Sequence, residues 1–103
     1  MIPLLQSHSS EVAEICRRFH VRQLDVFGSA ARGGDFDPGK SDIDLLVTYD
    51  PAVPRPGLAG YFGLREALSS LLGRPVDLVM EGAVRNPYIR ADIEQARERL
   101  YAA

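Results

Sequence analysis

Asp42 and Asp44 open the apolar run Ile43-Asp44-Leu45-Leu46-Val47. In an extended strand, side chains two apart share a face, with Cα atoms about 6.5 Å apart. Carboxylates held that close repel by about 2–3 kcal/mol at an effective dielectric near 20. No basic residue in the same run offsets this, so the pair invites a divalent cation. Magnesium suits such a place, because it takes oxygen ligands from a few carboxylates and from substrate phosphates. An edge strand facing solvent would tolerate the same pair without any metal. Spacing alone does not choose between the two: eight Asp in 103 residues give about half an Asp-x-Asp pair by chance. A second pair, Asp35 and Asp37, lies among Gly34, Pro38 and Gly39, where acidic residues act as solvated turn formers.

Gly28-Ser29 sits upstream of the aspartates, just after the short apolar run Leu24–Phe27. A glycine at a strand end lets the backbone approach a ligand closely, and a helix start beyond it offers free N–H groups to an anion. Ser29 adds a hydroxyl donor, and Arg32, one turn later, carries a planar fork suited to phosphate oxygens. A plain turn would use the same residues. The two histidines, His8 and His20, have no companions for a Ser-His or Cys-His nucleophile. His20 reads as a residue ending a helix.

These residues need elements to hold them. Val12, Ile15, Cys16 and Phe19 recur at helical spacing, which predicts an amphipathic helix reaching about His20, capped by Ser9 or Ser10 and with Glu11 in its first turn. Cys16, the only cysteine, belongs to that buried face and serves packing. Leu24–Phe27 predicts a short strand, and Ser29 begins one or two helical turns. Gly33–Lys40 is a turn-rich loop. Asp42–Tyr49 is the clearest strand. Leu58–Leu72 predicts a helix stopped by Gly73 and Pro75, and Val76–Met80 a third strand. Asn86-Pro87 supplies a cap and a first-turn proline for a last helix, with Ile89, Ile93, Ala96 and Leu100 on one face. Tyr88, Arg90, Arg97 and Arg99 lie outside that face as a candidate contact surface. The resulting order, αβαβαβα, predicts a small α/β (α+β) fold with a mixed sheet packed by helices.

Phe27-Gly28-Ser29-Ala30-Ala31-Arg32-Gly33, a loop, and then Ser41-Asp42-Ile43-Asp44-Leu45 together resemble the signature of the polymerase-β-like nucleotidyltransferase superfamily. The chain is similar in particular to its small stand-alone minimal nucleotidyltransferase (MNT) members. The resemblance runs from about Leu24 to Leu100 and is strongest between Phe27 and Val47. It implies a nucleotidyltransferase fold and a third carboxylate on a later strand, for which Asp77 in Val76-Asp77-Leu78 is the matching position. It implies further that Asp42, Asp44 and Asp77 hold two magnesium ions, that Asp77 helps the acceptor lose its proton, and that Gly28, Ser29 and Arg32 bind the phosphates of ATP. Small MNT proteins resemble the antitoxin halves of HEPN/MNT toxin–antitoxin pairs. On that resemblance the acceptor is a tyrosine hydroxyl of a HEPN-domain toxin, modified with AMP in a stable complex. Two alternatives stay open: an antitoxin that acts only by covering its toxin, and an oligomeric small-molecule transferase similar to the aminoglycoside-modifying group. The acidic loop Gly33–Lys40 departs from what a triphosphate site would favour.

The bulk properties narrow the field. A chain of 103 residues with 46% hydrophobic and 25% charged residues has room for one core, so a single domain over 1–103 is expected, which the resemblance implies is a minimal nucleotidyltransferase domain. The formal net charge of −2 argues against broad nucleic-acid binding. Eleven of the twelve basic residues are Arg, which keeps local anion sites available. Met1–Leu5 is too short for a membrane span or a signal peptide, and a cytoplasmic setting is expected.

Overall fold

Period-two alternation places Ile43, Leu45 and Val47 on one side of a strand, and burying that side decides the architecture. The computed structural model describes residues 1–54 and 57–103. Strands β1 (Val21–Phe27), β2 (Ile43–Tyr49), β3 (Val76–Met80) and β4 (Glu98–Ala102) form a sheet in the order β3-β2-β1-β4. β1 runs antiparallel to β2 and β4, whereas β2 and β3 are parallel. A parallel pair needs a crossover, which here contains helix α4 (Leu58–Leu72). Gly73 ends α4 in the left-handed region at φ +66°, a common way to close a helix.

Helices α1 (Pro3–Ser7), α2 (Ser9–Arg18), α3 (Gly28–Arg32) and α5 (Pro87–Ala96) complete the molecule. Leu24, Val26, Ile43, Leu45, Val47, Val76 and Leu78 make the buried face of the sheet, clustered with Val12 and Cys16 of α2 and with Leu64, Leu68 and Leu72 of α4. The opposite face carries Asp44 and Leu46 on β2, Asp25 and Phe27 on β1, and Asp77 on β3. α5 packs against β1 and α3. Its Ile93 and the Leu46 beneath are both buried. Among the described residues no helix is long and apolar enough to cross a membrane.

The expected mixed α/β layers are present, but the order αβαβαβα needs correction at both ends. A five-residue helix, α1, precedes the first expected one, tied down by the Ile2 N–H donating to the Ala30 carbonyl at 2.9 Å. Neither Ser9 nor Ser10 caps α2: both lie within it, and no side chain caps its start. α2 ends at Arg18, and β1 begins at Val21 rather than Leu24. The larger correction concerns the C-terminus. Leu100 is not on the face of the last helix, because the chain turns extended at Arg97 (φ −62°, ψ 126°) and continues as β4. Ile89, expected on that apolar face, is 51% exposed. The spacing of Ala96 and Leu100 permits a helix, but the open edge of β1 offers unpaired backbone groups that an extended segment satisfies. Asn86 caps α5 as expected, its Oδ1 accepting from the Tyr88 N–H at 2.9 Å.

Candidate active site

β1 delivers the chain to the site, and Gly28 turns it. Gly28 has φ +66°, a conformation costly for any residue with a Cβ. It is also crowded: a Cβ built there would lie 2.5 Å from Asp44 Oδ2. The Asp44 carboxylate therefore rests against the Gly28 backbone, and only glycine leaves it room. Ser29 follows, half-buried in the five-residue α3, with Ala30 and Ala31 buried beneath it.

The sheet register brings the acidic residues together. Asp44 is the direct partner of Phe27 on one side and of Asp77 on the other, with neighbouring strands about 4.8 Å apart. Asp42 lies one residue before β2, two positions from Asp44, and is exposed like Asp77; Asp44 is half-buried. Burial pushes the Asp44 carboxyl up from its ordinary range, and repulsion from Asp77 and then Asp42 adds to this, against a weaker opposing pull from Arg32. A cation placed among these carboxylates would relieve that repulsion, so the donor set fits magnesium. Among the described residues, however, no three His, Cys, Asp or Glu side chains converge into a ready-made cage. Such an arrangement suits magnesium that keeps waters and takes part of its shell from substrate phosphates.

Arg32 stands at the end of α3, near enough to feel Asp44 and Asp92, but its guanidinium is occupied. Nε and Nη2 both donate to the Asp35 carboxylate, at 3.1 Å and 2.8 Å to Oδ2. Asp35 is thus more than the solvated turn former expected. Asp37 does play that part, accepting from the Gly39 N–H at 2.9 Å.

Sequence reasoning passed over Asp25, the one charged residue among the buried side chains described, at 2% exposure. It lies on the carboxylate-bearing face and accepts from Arg97 Nε and, at 2.8 Å, from Gln23 Nε2. Its Oδ1 has no hydrogen-bond partner, although Arg99 Nε approaches to 3.7 Å. Arg97 also pairs with Glu94 at 2.7 Å and Glu81 at 3.3 Å. Arg97 is therefore not free for a partner surface, as the sequence suggested, but ties α5 to the sheet. A lone acid inside the apolar run Leu24–Phe27 was the available signal. Cys16 is buried as expected, and burial pushes its thiol up to about 12.

The family model of the nucleotidyltransferase domain matches residues 9–100. The chain is 39% identical over 83 residues to protein adenylyltransferase MntA of Thermococcus cleftensis, covering 81% of this chain and 76% of the relative. A solved minimal nucleotidyltransferase is similar at TM-score 0.71 and 32% identity, over 91% of this chain and 90% of the other. The fold is also shared, at TM-score 0.66 and 18% identity over 96% of this chain and 73% of the other, with a chain from the complex of a tri-AMPylated Shewanella oneidensis HEPN toxin and MNT antitoxin. A strand–Gly-Ser–helix turn packed onto an Asp-x-Asp strand, and a family match over most of its length, place this chain in the nucleotidyltransferase domain family.

Proposed function

We propose that this nucleotidyltransferase is an antitoxin that transfers AMP from ATP to a tyrosine hydroxyl of a HEPN-domain toxin. The observation that carries the reading is the close seat of Asp44 against Gly28, with Asp77 beside it in register. Such crowding of acids is unfavourable in the free chain and has a use once a cation and a triphosphate arrive. The adenylyltransferase name of a 39% identical relative and the AMPylated toxin in a complex of the same fold support the choice of donor and acceptor.

In this reading Asp42, Asp44 and Asp77 would hold magnesium together with the triphosphate, and the metal would supply polarisation of the α-phosphate. The Gly28 backbone, Ser29 and Arg32 grip the β- and γ-phosphates and stabilise the charge that develops on pyrophosphate. Asp77, exposed at the open edge of the sheet, accepts the proton of the acceptor hydroxyl. The tyrosine oxygen forms a bond to the α-phosphorus, the α–β bridging bond breaks, and pyrophosphate leaves.

The test incubates the protein with labelled ATP, magnesium and the HEPN-type product of an adjacent reading frame. Label passing to a tyrosine of the partner, and lost with Asp44→Asn, is the expected outcome. A tight complex without transfer under varied metals would refute adenylyl transfer and leave an antitoxin that acts by covering its toxin.

A further inference from the structure

The acidic loop between α3 and β2 does something specific in this fold. Asp35 takes three hydrogen bonds from Arg32, at 3.2 and 3.1 Å from Nε and 2.8 Å from Nη2, with both side chains more than half exposed. The guanidinium fork is thus filled by a carboxylate in the bidentate manner that it would use for a phosphate. The loop carrying Asp35 is itself held. Arg74, just before β3, donates to the Pro38 carbonyl and lies over the Phe36 ring at 5.4 Å. The Asp37 N–H donates to Ser41 Oγ at 2.9 Å, and the Lys40 and Ser41 N–H groups donate back to the Asp37 carbonyl at 3.0 and 2.8 Å. Asp35 is therefore presented to Arg32 from a backbone anchored after it by these contacts and before it by the Gly33 N–H, which donates to the Ser29 carbonyl at 2.7 Å.

We infer that Asp35 is a positioning residue acting through Arg32: it holds the fork in place in the free protein and must give it up when a nucleoside triphosphate binds. This rests on the reading of Arg32 as a phosphate ligand and deepens it. Because the loop backbone is tied to Arg74 and Ser41, release occurs by rotation of the Asp35 side chain rather than by opening of the loop. A triphosphate carries several negative charges and competes well against one carboxylate. An exposed pair is weak, so Asp35 sets nucleotide affinity by a modest factor without blocking the site. The acidic loop tunes the site for high triphosphate concentrations and against weaker anions such as inorganic phosphate.

Calorimetric binding of a non-hydrolysable ATP analogue with magnesium, without partner, tests this. Asp35→Asn is expected to bind about two- to fivefold more tightly than the unaltered chain, and to lower the KM for ATP by the same factor in the transfer assay while leaving kcat unchanged. Arg32→Met is expected to weaken binding and to erase the effect of Asp35→Asn when the two are combined. Asp37→Asn removes the same charge from the same loop but frees no arginine, and its affinity should stay near that of the unaltered chain. Unchanged or weaker binding by Asp35→Asn overturns the inference. So does a gain that persists without Arg32, or an equal gain from Asp37→Asn, since either is a general field effect. Loss of adenylyl transfer to the partner with these binding differences intact would count against the proposed acceptor and not against Asp35.

Discussion

Replacing Gly28 with alanine should cost more than the same change at Gly73, although both residues have φ +66°. A Cβ in the left-handed region costs about 1–2 kcal/mol, and at Gly73 nothing else lies within 4 Å of it. At Gly28 the Cβ would meet Asp44 Oδ2 at 2.5 Å, so the carboxylate must rotate away at a further cost of about 1 kcal/mol. Gly28→Ala should therefore destabilise by about 2–3 kcal/mol. Its excess over Gly73→Ala, about 1 kcal/mol, corresponds to a gap of roughly 4–8 °C in Tm for a chain of this size. Thermal unfolding of both variants, alone and in an Asp44→Ala background, measures the excess directly. Once Asp44 is truncated the excess should vanish. Adenylyl transfer should fall sharply in Gly28→Ala, where the displaced carboxylate no longer faces the site, and survive in Gly73→Ala. Equal Tm losses for the two variants, or an excess that persists without Asp44, would refute the idea that glycine is needed at 28 to seat this carboxylate.

Asp44→Asn should stabilise the free protein by up to about 1 kcal/mol at neutral pH, after discounting for the solvent that screens a half-buried group. The sign follows from the raised carboxyl: the folded chain holds the proton more tightly than the unfolded chain. Stability is then lost as pH rises from the ordinary carboxylate range through the raised value. Unfolding between pH 3 and 7, a window of about 4 units, should show that slope reduced in Asp44→Asn, and an unchanged slope would refute the assignment. Arg97→Met strands Asp25 at 2% exposure and should cost about 3–5 kcal/mol in urea unfolding; adding Asp25→Leu should restore part of it, and a cost under about 1 kcal/mol would mean that the cluster is not a clamp. Cys16, its thiol pushed up to about 12 by burial, should resist maleimide at pH near 8 in the folded chain and react fully on unfolding. Labelling at the same rate in both states would contradict its burial.

Much of this protein is legible in residue types and their spacing. Alternation along Ile43–Val47 identifies β2 and places Asp44 on the face opposite the core, because a strand has only two faces. Gly28 is legible as a position of close backbone approach. Asp77 needed the resemblance as well, since one acid in an apolar strand also suits a surface. The end of α5 was not legible: Ile93, Ala96 and Leu100 keep helical spacing, and local propensity does not oppose continuing the helix through Arg97. The edge of β1 and the buried Asp25 decide it, by offering backbone partners to 98–102 and a charge to Arg97. Asp35 and Asp37 look alike in the sequence, two acids in one turn-rich loop. Only the folded path of that loop, fastened by Arg74, puts one of them on Arg32 and leaves the other in a turn. Local chemistry thus marked Asp42 and Asp44 as candidates for a metal and Gly28, Ser29 and Arg32 as candidates for a phosphate. Which charges distant in the chain neutralise one another, Asp25 with Arg97 above all, was decided by tertiary structure, because that pairing depends on distances between segments that spacing along the chain does not set.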